Sequence, residues 1–194
     1  MPEKPFFVHP NALCESDNIG KNTRIWAFAH VLKGAKIGDD CNLCDGVFVE
    51  NDVVIGNRVT IKNCIAVWDG ITIEDDVFLG PNCVLTNDLY PRSKAHVGVV
   101  KTLIKQGATI GANATIICGN TLGRYCMIGA GAVVTKNVPD FALVLGNPAR
   151  FKHWVAKTGE KLIFDENKIA ADSKSNKYKL LKSEDNKDKV IEIT

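Results

Sequence analysis

From Ile19 the chain places an aliphatic residue at every sixth position, through Ile25, Val31, Ile37, Leu43, Val49, Ile55, Ile61, Val67, Ile73, Leu79 and Leu85. The register lapses and returns at Ile104, Ile110, Ile116, Leu122, Ile128 and Val134. Ile, Leu and Val make up about a quarter of the 194 residues, so eighteen hits in two unbroken runs have a chance probability on the order of 10⁻¹¹. A period of six is neither a helix face nor an alternating strand. Four residues after each aliphatic the chain is mostly small or β-branched, as at Ala29, Ala35, Cys41, Val47, Cys83, Ala108 and Cys126, and glycine recurs directly after it, as at Gly20, Gly38, Gly56, Gly80, Gly111, Gly123 and Gly129. This pattern predicts an all-β chain with one short strand and a turn per hexapeptide, coiling as a parallel β-helix with three hexapeptides per coil.

The lapse marks a loop over about 87–103 extruded from a coil domain spanning 1–140. Beyond Pro139 the pattern predicts a segment over 141–158 with a strand and a short helix at Phe151 to Lys157, then a charged tail over 159–194 with a small hairpin and β-like runs at Lys161–Phe164, Tyr178–Leu181 and Val190–Ile193. Seven cysteines in a chain with no secretory pattern at its start argue for reduced thiols. Cys41-x-x-Cys44 is the only metal-like spacing and lacks a second half, so no metal is expected, and the register makes Cys41, Cys83 and Cys126 small core residues. A net charge of +2 without a basic run argues against nucleic acid or an anionic membrane surface as partner, no apolar stretch is long enough to span a bilayer, and the chain reads as cytoplasmic.

In a coil of eighteen residues, positions eighteen apart stack one strand spacing apart, about 4.8 Å. Lys33, Asn51, Asp69 and Asn87 form such a column, with Trp68 beside Asp69 and Asp88 following Asn87 where the loop departs. Turn chemistry accounts for Asn and Asp at corners, while the neighbouring loop and Trp68 favour ligand contact for Asp69, Asn87 and Asp88; both readings stand for Asn51. Gly111-Ala112 and Gly129-Ala130 form a second stack nearly free of side chains, where an extended ligand with amides could lie against the backbone, or where small residues simply pack. Lys136, Arg150 and Lys152 lie beyond it as candidate phosphate contacts, and His30 lines a groove or packs.

The segments Ile25-Trp26-Ala27-Phe28-Ala29-His30, Trp68-Asp69-Gly70-Ile71, Asp75 to Pro81, Thr86 to Lys94 and Gly129 to Val134 resemble the hexapeptide-repeat nucleotide-amino-sugar N-acetyltransferases, most of all those acting on dTDP-3-amino-3,6-dideoxyhexoses. The resemblance covers about residues 6 to 155 and implies a left-handed β-helix, a homotrimer, acetyl-CoA as co-substrate in the groove between subunits, a nucleotide-linked amino sugar as acceptor, and a place in surface polysaccharide biosynthesis such as lipopolysaccharide O-antigen. It implies Asp88, Asn87 and Asp69 around the sugar amine, Arg92 on sugar or phosphate, and Ala112 and Ala130 as backbone contacts to the CoA arm. Trp68, His30 and Asn51 join Arg92 as substrate-side candidates, and Gly111, Lys136 and Arg150 join the cofactor side. Some relatives carry a cysteine pair in an appendage after Gly159; this chain has none there. A UDP-linked 3-amino sugar or another small acceptor remains open, since the coil is silent on acceptor identity. A zinc hydrase on the same coil needs three converging histidines, and His9, His30, His96 and His153 are scattered. A non-catalytic solenoid would show regular Thr ladders and no loop.

Overall fold

The computed structural model describes residues 5–94, 98–182 and 188–193. Short strands, mostly two residues long, stack in parallel into three faces, as the hexapeptide period requires. The first face runs from Phe7–Val8 through Arg24–Ile25 and Phe78–Leu79 to Met127–Ile128, the second from Leu13–Cys14 through Ala66–Val67 and Val84–Leu85 to Val133–Val134, and the third from Lys36–Ile37 to Thr121–Leu122. Register partners lie eighteen residues apart, as in Val31↔Val49 and Leu43↔Ile61, so every sixth-position aliphatic meets its counterpart in the next coil. Those aliphatics, with Ala29, Ala35, Cys41, Cys83, Ala108 and Cys126 between them, form one continuous buried core. Burying that file of side chains is the main driving force, at about 1.5–3 kcal/mol for each large aliphatic.

Three corners join the faces. At the corner from the third face to the first, polar side chains stitch one coil to the next: the Lys21 N–H donates to Asp39 Oδ1 at 2.9 Å, the Asp39 N–H to Asn57 Oδ1 at 2.8 Å, and the Asn57 N–H to Asp75 Oδ1 at 2.8 Å. The carboxylate of Asp75 is held below the usual range by the Asn57 backbone bond, and that of Asp76 by the Arg58 guanidinium, whose Nε lies 2.6 Å away. This ladder has the same eighteen-residue spacing as the Asn51–Asp69–Asn87 column.

Across the extruded loop the offset between partners becomes 31, as in Ile73↔Ile104 and Leu85↔Ile116, and the coil resumes with Thr102–Ile104. Residues 95–97 of the expected loop lie outside the described residues, as do 183–187 and 194 of the tail.

The expected helix at Phe151 to Lys157 does not form. Arg150–Trp154 is a strand that turns back antiparallel onto Ala142–Leu145. A helix of seven residues is marginal alone, whereas the last strand of the first face offers an open row of N–H and C=O groups that a returning strand satisfies. The tail is larger than a hairpin: Ile169–Ala171, Lys177–Lys182 and Asp188–Ile193 form a three-stranded antiparallel sheet, while Lys161 contributes only a bridge to Val155. Its inner residues Ala170, Tyr178 and Val190 pack with Phe141, Ala156 and Leu162 as a second core. Tyr178 is fully buried, and burial pushes its phenol up to about 12.

Candidate active site

The root of the loop is where the regular stitching of the second face stops. Below it, the His30 and Leu32 N–H groups donate to Val47 and Val49 carbonyls, and those of Phe48 and Glu50 to Ile65 and Val67, at 2.8–2.9 Å. Above it, Val84 and Thr86 donate to Ala114 and Ile116. Between Ala66–Trp68 and Cys83–Leu85 the corresponding pair is absent among the described residues, and the face divides there into two sheets. The Leu85 carbonyl instead accepts the indole Nε1–H of Trp68 at 2.8 Å. The Trp68 ring lies edge-on to Phe48 at 5.8 Å, and Phe48 edge-on to His30 at 5.5 Å.

Asp69, Asn87 and Asp88 gather at this break, all half-buried. Asn87 Nδ2 donates to the Asp69 carbonyl at 3.3 Å, and the Asn87 carbonyl accepts Val100 N–H at 2.9 Å, which closes the base of the loop. The Thr86 hydroxyl accepts Cys118 N–H at 2.9 Å and ties the same root to the coil above. Asp69 Oδ1 accepts Asp52 N–H at 2.6 Å and Asp88 Oδ1 accepts Tyr90 N–H at 2.8 Å, each bond using one carboxylate oxygen. Asp69 Oδ2, Asp88 Oδ2 and Asn87 Oδ1 take part in no hydrogen bond among the described residues, so three acceptors remain for donors such as an amine or hydroxyls.

The other column members divide. Asn51 Oδ1 accepts Gly34 N–H at 3.0 Å and serves the corner. Register places Cys118 and then Lys136 after Asn87 in the same column. His30 sits three coils below Val84, about 14 Å away along the stack, and its Nε2 lies 2.8 Å from Glu15 Oε1, so within one chain it does not join Asn87. Arg92 is exposed on the loop, and among the described residues its guanidinium donates to the Pro91 carbonyl alone.

The cofactor candidates fall on the two edges of the second face. At the corner from the first face to the second, a Cβ on Gly111 would sit 2.5 Å from the Ala130 nitrogen, so that glycine is required by the close approach of the coils. What the corner leaves open is Ala112 and Ala130, whose N–H groups donate to no acceptor among the described residues and whose side chains are single methyls. At the far edge, Lys136 and Arg150 share a cavity of about 300 Å³ with Phe151, which the strand at Arg150–Trp154 completes. Two cations, an aromatic ring and a bare corner with free N–H donors suit a phosphorylated carrier with an amide-bearing arm.

No group of three His, Cys, Asp or Glu side chains converges as a metal site would need among the described residues, and His96 lies outside them. Cys41 points into the core and donates to the Gly56 carbonyl, whereas Cys44 lies at a corner and accepts from Asn42. Burial pushes the Cys83 and Cys126 thiols up to about 12, which removes them as nucleophiles near neutrality.

Sequence reasoning missed two features. The Asp39–Asn57–Asp75 ladder has the same spacing as the Asn51–Asp69–Asn87 column. The break beside Trp68 had no sequence signal beyond the position of the loop.

The chain matches the bacterial transferase hexapeptide (six repeats) over residues 18–51 and 101–136, and the hexapeptide repeat of succinyl-transferase over 46–87. A dTDP-3-amino-3,6-dideoxy-α-D-galactopyranose 3-N-acetyltransferase of Aneurinibacillus thermoaerophilus is 55% identical over 162 residues, covering 83% of this chain and 84% of the relative. A hexapeptide-repeat acetyltransferase of Vibrio cholerae O1 biovar eltor, solved with acetyl coenzyme A, is 28% identical with a TM-score of 0.56 over 62% of this chain and 70% of its own. A variant of an N-acyltransferase from Bacillus cereus, solved with dTDP and coenzyme A, shares the fold with a TM-score of 0.64 at 20% identity, over 72% of this chain and 85% of that one. Repeat, coil and matches together define a hexapeptide-repeat acyltransferase built on a left-handed β-helix. Within that class the chain belongs to the family of the dTDP-3-amino-3,6-dideoxyhexose 3-N-acetyltransferases.

Proposed function

We propose that this protein transfers the acetyl group of acetyl-CoA to the 3-amino group of a dTDP-linked 3-amino-3,6-dideoxyhexose. The observation that carries the reading is the cluster of acceptors on Asp69, Asn87 and Asp88 at the loop root that no donor among the described residues fills, in a chain 55% identical to an enzyme of that activity.

The chemistry needs little from the protein beyond placement. A sugar amine with a pKa of about 8, taking the α-amino group as guide, is partly neutral at physiological pH, so it attacks the thioester carbonyl without a strong base. The C–N bond forms, the C–S bond breaks, and CoA leaves as its thiolate. Asp88 Oδ2 accepts the proton released from the amine, or the departing thiolate collects it. Asn87 Oδ1 and Asp69 Oδ2 accept hydrogen bonds from the sugar and fix its orientation. A free N–H at Ala112 or Ala130 stabilises the oxyanion, and Lys136 and Arg150 hold CoA phosphates with Phe151 beside them. Arg92 meets the diphosphate from the loop.

Because Ala112 and Ala130 lie across the second face from Asn87, the two halves of the site meet when the corner of one subunit faces the loop root of another. As the resemblance to the hexapeptide-repeat N-acetyltransferases implies, the working unit in this reading is a homotrimer, acting in the cytoplasm, where activated sugars and acetyl-CoA are available to it, and supplying surface polysaccharide such as O-antigen. Purified protein incubated with acetyl-CoA and a panel of dTDP- and UDP-linked amino sugars tests the reading. Mass spectrometry is expected to show a gain of one acetyl group on the dTDP-3-amino sugar; transfer only to UDP sugars moves the substrate assignment, and transfer to none removes it. A monomeric solution mass would count against the shared site.

A further inference from the structure

We propose that Trp68 is a positioning residue, which holds the loop root open through its indole N–H and thereby sets the separation between Asp69 below and Asn87 and Asp88 above. The inference rests on the N-acetyltransferase reading for its catalytic consequence, but not for its structural one.

Elsewhere on the second face a backbone N–H reaches the carbonyl of the next coil directly, as Glu50 does to Val67 at 2.9 Å and Thr86 does to Ile116 at 3.1 Å. At Trp68 the same acceptor, the Leu85 carbonyl, is taken by the end of the side chain. A donor carried at the end of an indole keeps its own backbone further from the acceptor than a direct backbone bond does. The two missing backbone bonds and the division of the sheet are the expected result. If the ladder closed here, Trp68 and Leu85 would return to ordinary strand spacing, and Asn87 would be drawn down onto the Asp69 corner.

Thr86 is bonded upward, to Ile116 and Cys118, and Asn87 is bonded across the loop to Val100. Downward, towards the coil that carries Asp69, the indole ties the Leu85 carbonyl and the Asn87 amide reaches the Asp69 carbonyl. The first of these is therefore well placed to govern where the acceptor oxygens stand, and a displacement of about 1 Å at a reacting centre can cost on the order of a hundredfold in rate.

Trp68→Phe removes the N–H while keeping a ring beside Phe48. Phe48→Leu removes that ring contact while keeping the indole N–H. For Trp68→Phe the expected result is a fall in kcat of about 10- to 100-fold with KM for acetyl-CoA within about twofold, and faster hydrogen exchange in the segment 84–94. Phe48→Leu is expected to leave kcat within about twofold and that exchange unchanged. Wild-type kcat in Trp68→Phe, equal losses in both variants, or a KM for acetyl-CoA raised as much as kcat falls would each overturn the proposal, the second because it would make the role one of packing. Should the wild-type protein fail to acetylate any amino sugar, the functional reading falls, while exchange in Trp68→Phe against Phe48→Leu still decides whether the indole holds the loop root.

Discussion

Asp88 and Gly70 show how single residues at the loop root divide chemistry from scaffolding. Asp88 spends one oxygen on Tyr90 N–H, and the other meets no donor among the described residues. Asp88→Asn retains the turn through its amide oxygen but cannot take a proton, so kcat is expected to fall by about 10²- to 10⁴-fold with acetyl-CoA affinity unchanged, measured by steady-state kinetics alongside calorimetric binding. Unchanged turnover would remove Asp88 from the mechanism. Gly70 works through space and backbone conformation. Its φ is +83°, and a Cβ there would stand 2.4 Å from Val99 Cγ1, where the loop returns over the coil. Gly70→Ala is expected to cost about 1 kcal/mol for the left-handed backbone and to push Val99 away, lowering activity more than the melting temperature. Neither role could be read from the Asn51–Asp69–Asn87 spacing, because periodicity reports stacking, and stacked Asn and Asp also serve as corner bonds.

At the scale of elements, the terminal sheet is the part whose extent local patterning underestimated. Its strands at Lys177–Lys182 and Asp188–Ile193 were visible as β-like runs, but the third strand and the packing on Phe141 depend on contacts between distant segments. Tyr178 joins these: its hydroxyl donates to Asp172 Oδ2 at 3.0 Å and accepts Lys157 N–H at 3.0 Å. Burial alone would raise the Asp172 pKa, yet hydrogen bonds from Asn176, Lys174 and Tyr178 hold it below the usual carboxylate range. Tyr178→Phe leaves Lys157 N–H and one carboxylate oxygen without that partner, and a loss of about 1–2 kcal/mol is expected in denaturant unfolding. Because the sheet lies apart from the loop root, kcat is expected to stay within about twofold. The strand at Arg150–Trp154 teaches the same lesson from the other side, since an open ladder edge outweighed seven residues of local helical pattern.

For the molecule as a whole, the solenoid depends on a file of aliphatics within and on corner ladders without. Asp75 and Asp76 have folded pKa values below their unfolded ones, so the stability they contribute is present above the unfolded value of about 3.9 and is lost as pH falls through the folded values. Urea midpoints are expected to agree between pH 7 and pH 5 and to drop at pH 3. Arg58→Met is expected to weaken that acid dependence, since Arg58 is the first cause of the shift at Asp76. An acid profile identical in both proteins would show that the corner does not couple to folding.

The repeat alone determined the coil, its inward residues, the buried cysteines and the position of the loop, because one strand per hexapeptide makes inside and outside a matter of counting. Tertiary structure decided the rest: which of two equally periodic polar ladders is free to meet a ligand, where the second face breaks, and that a strand rather than a helix closes the cavity of Lys136 and Arg150. Those outcomes depend on which backbone groups find partners in another coil, and a hydrogen bond between residues seventeen or more apart leaves no mark on the local pattern of either one.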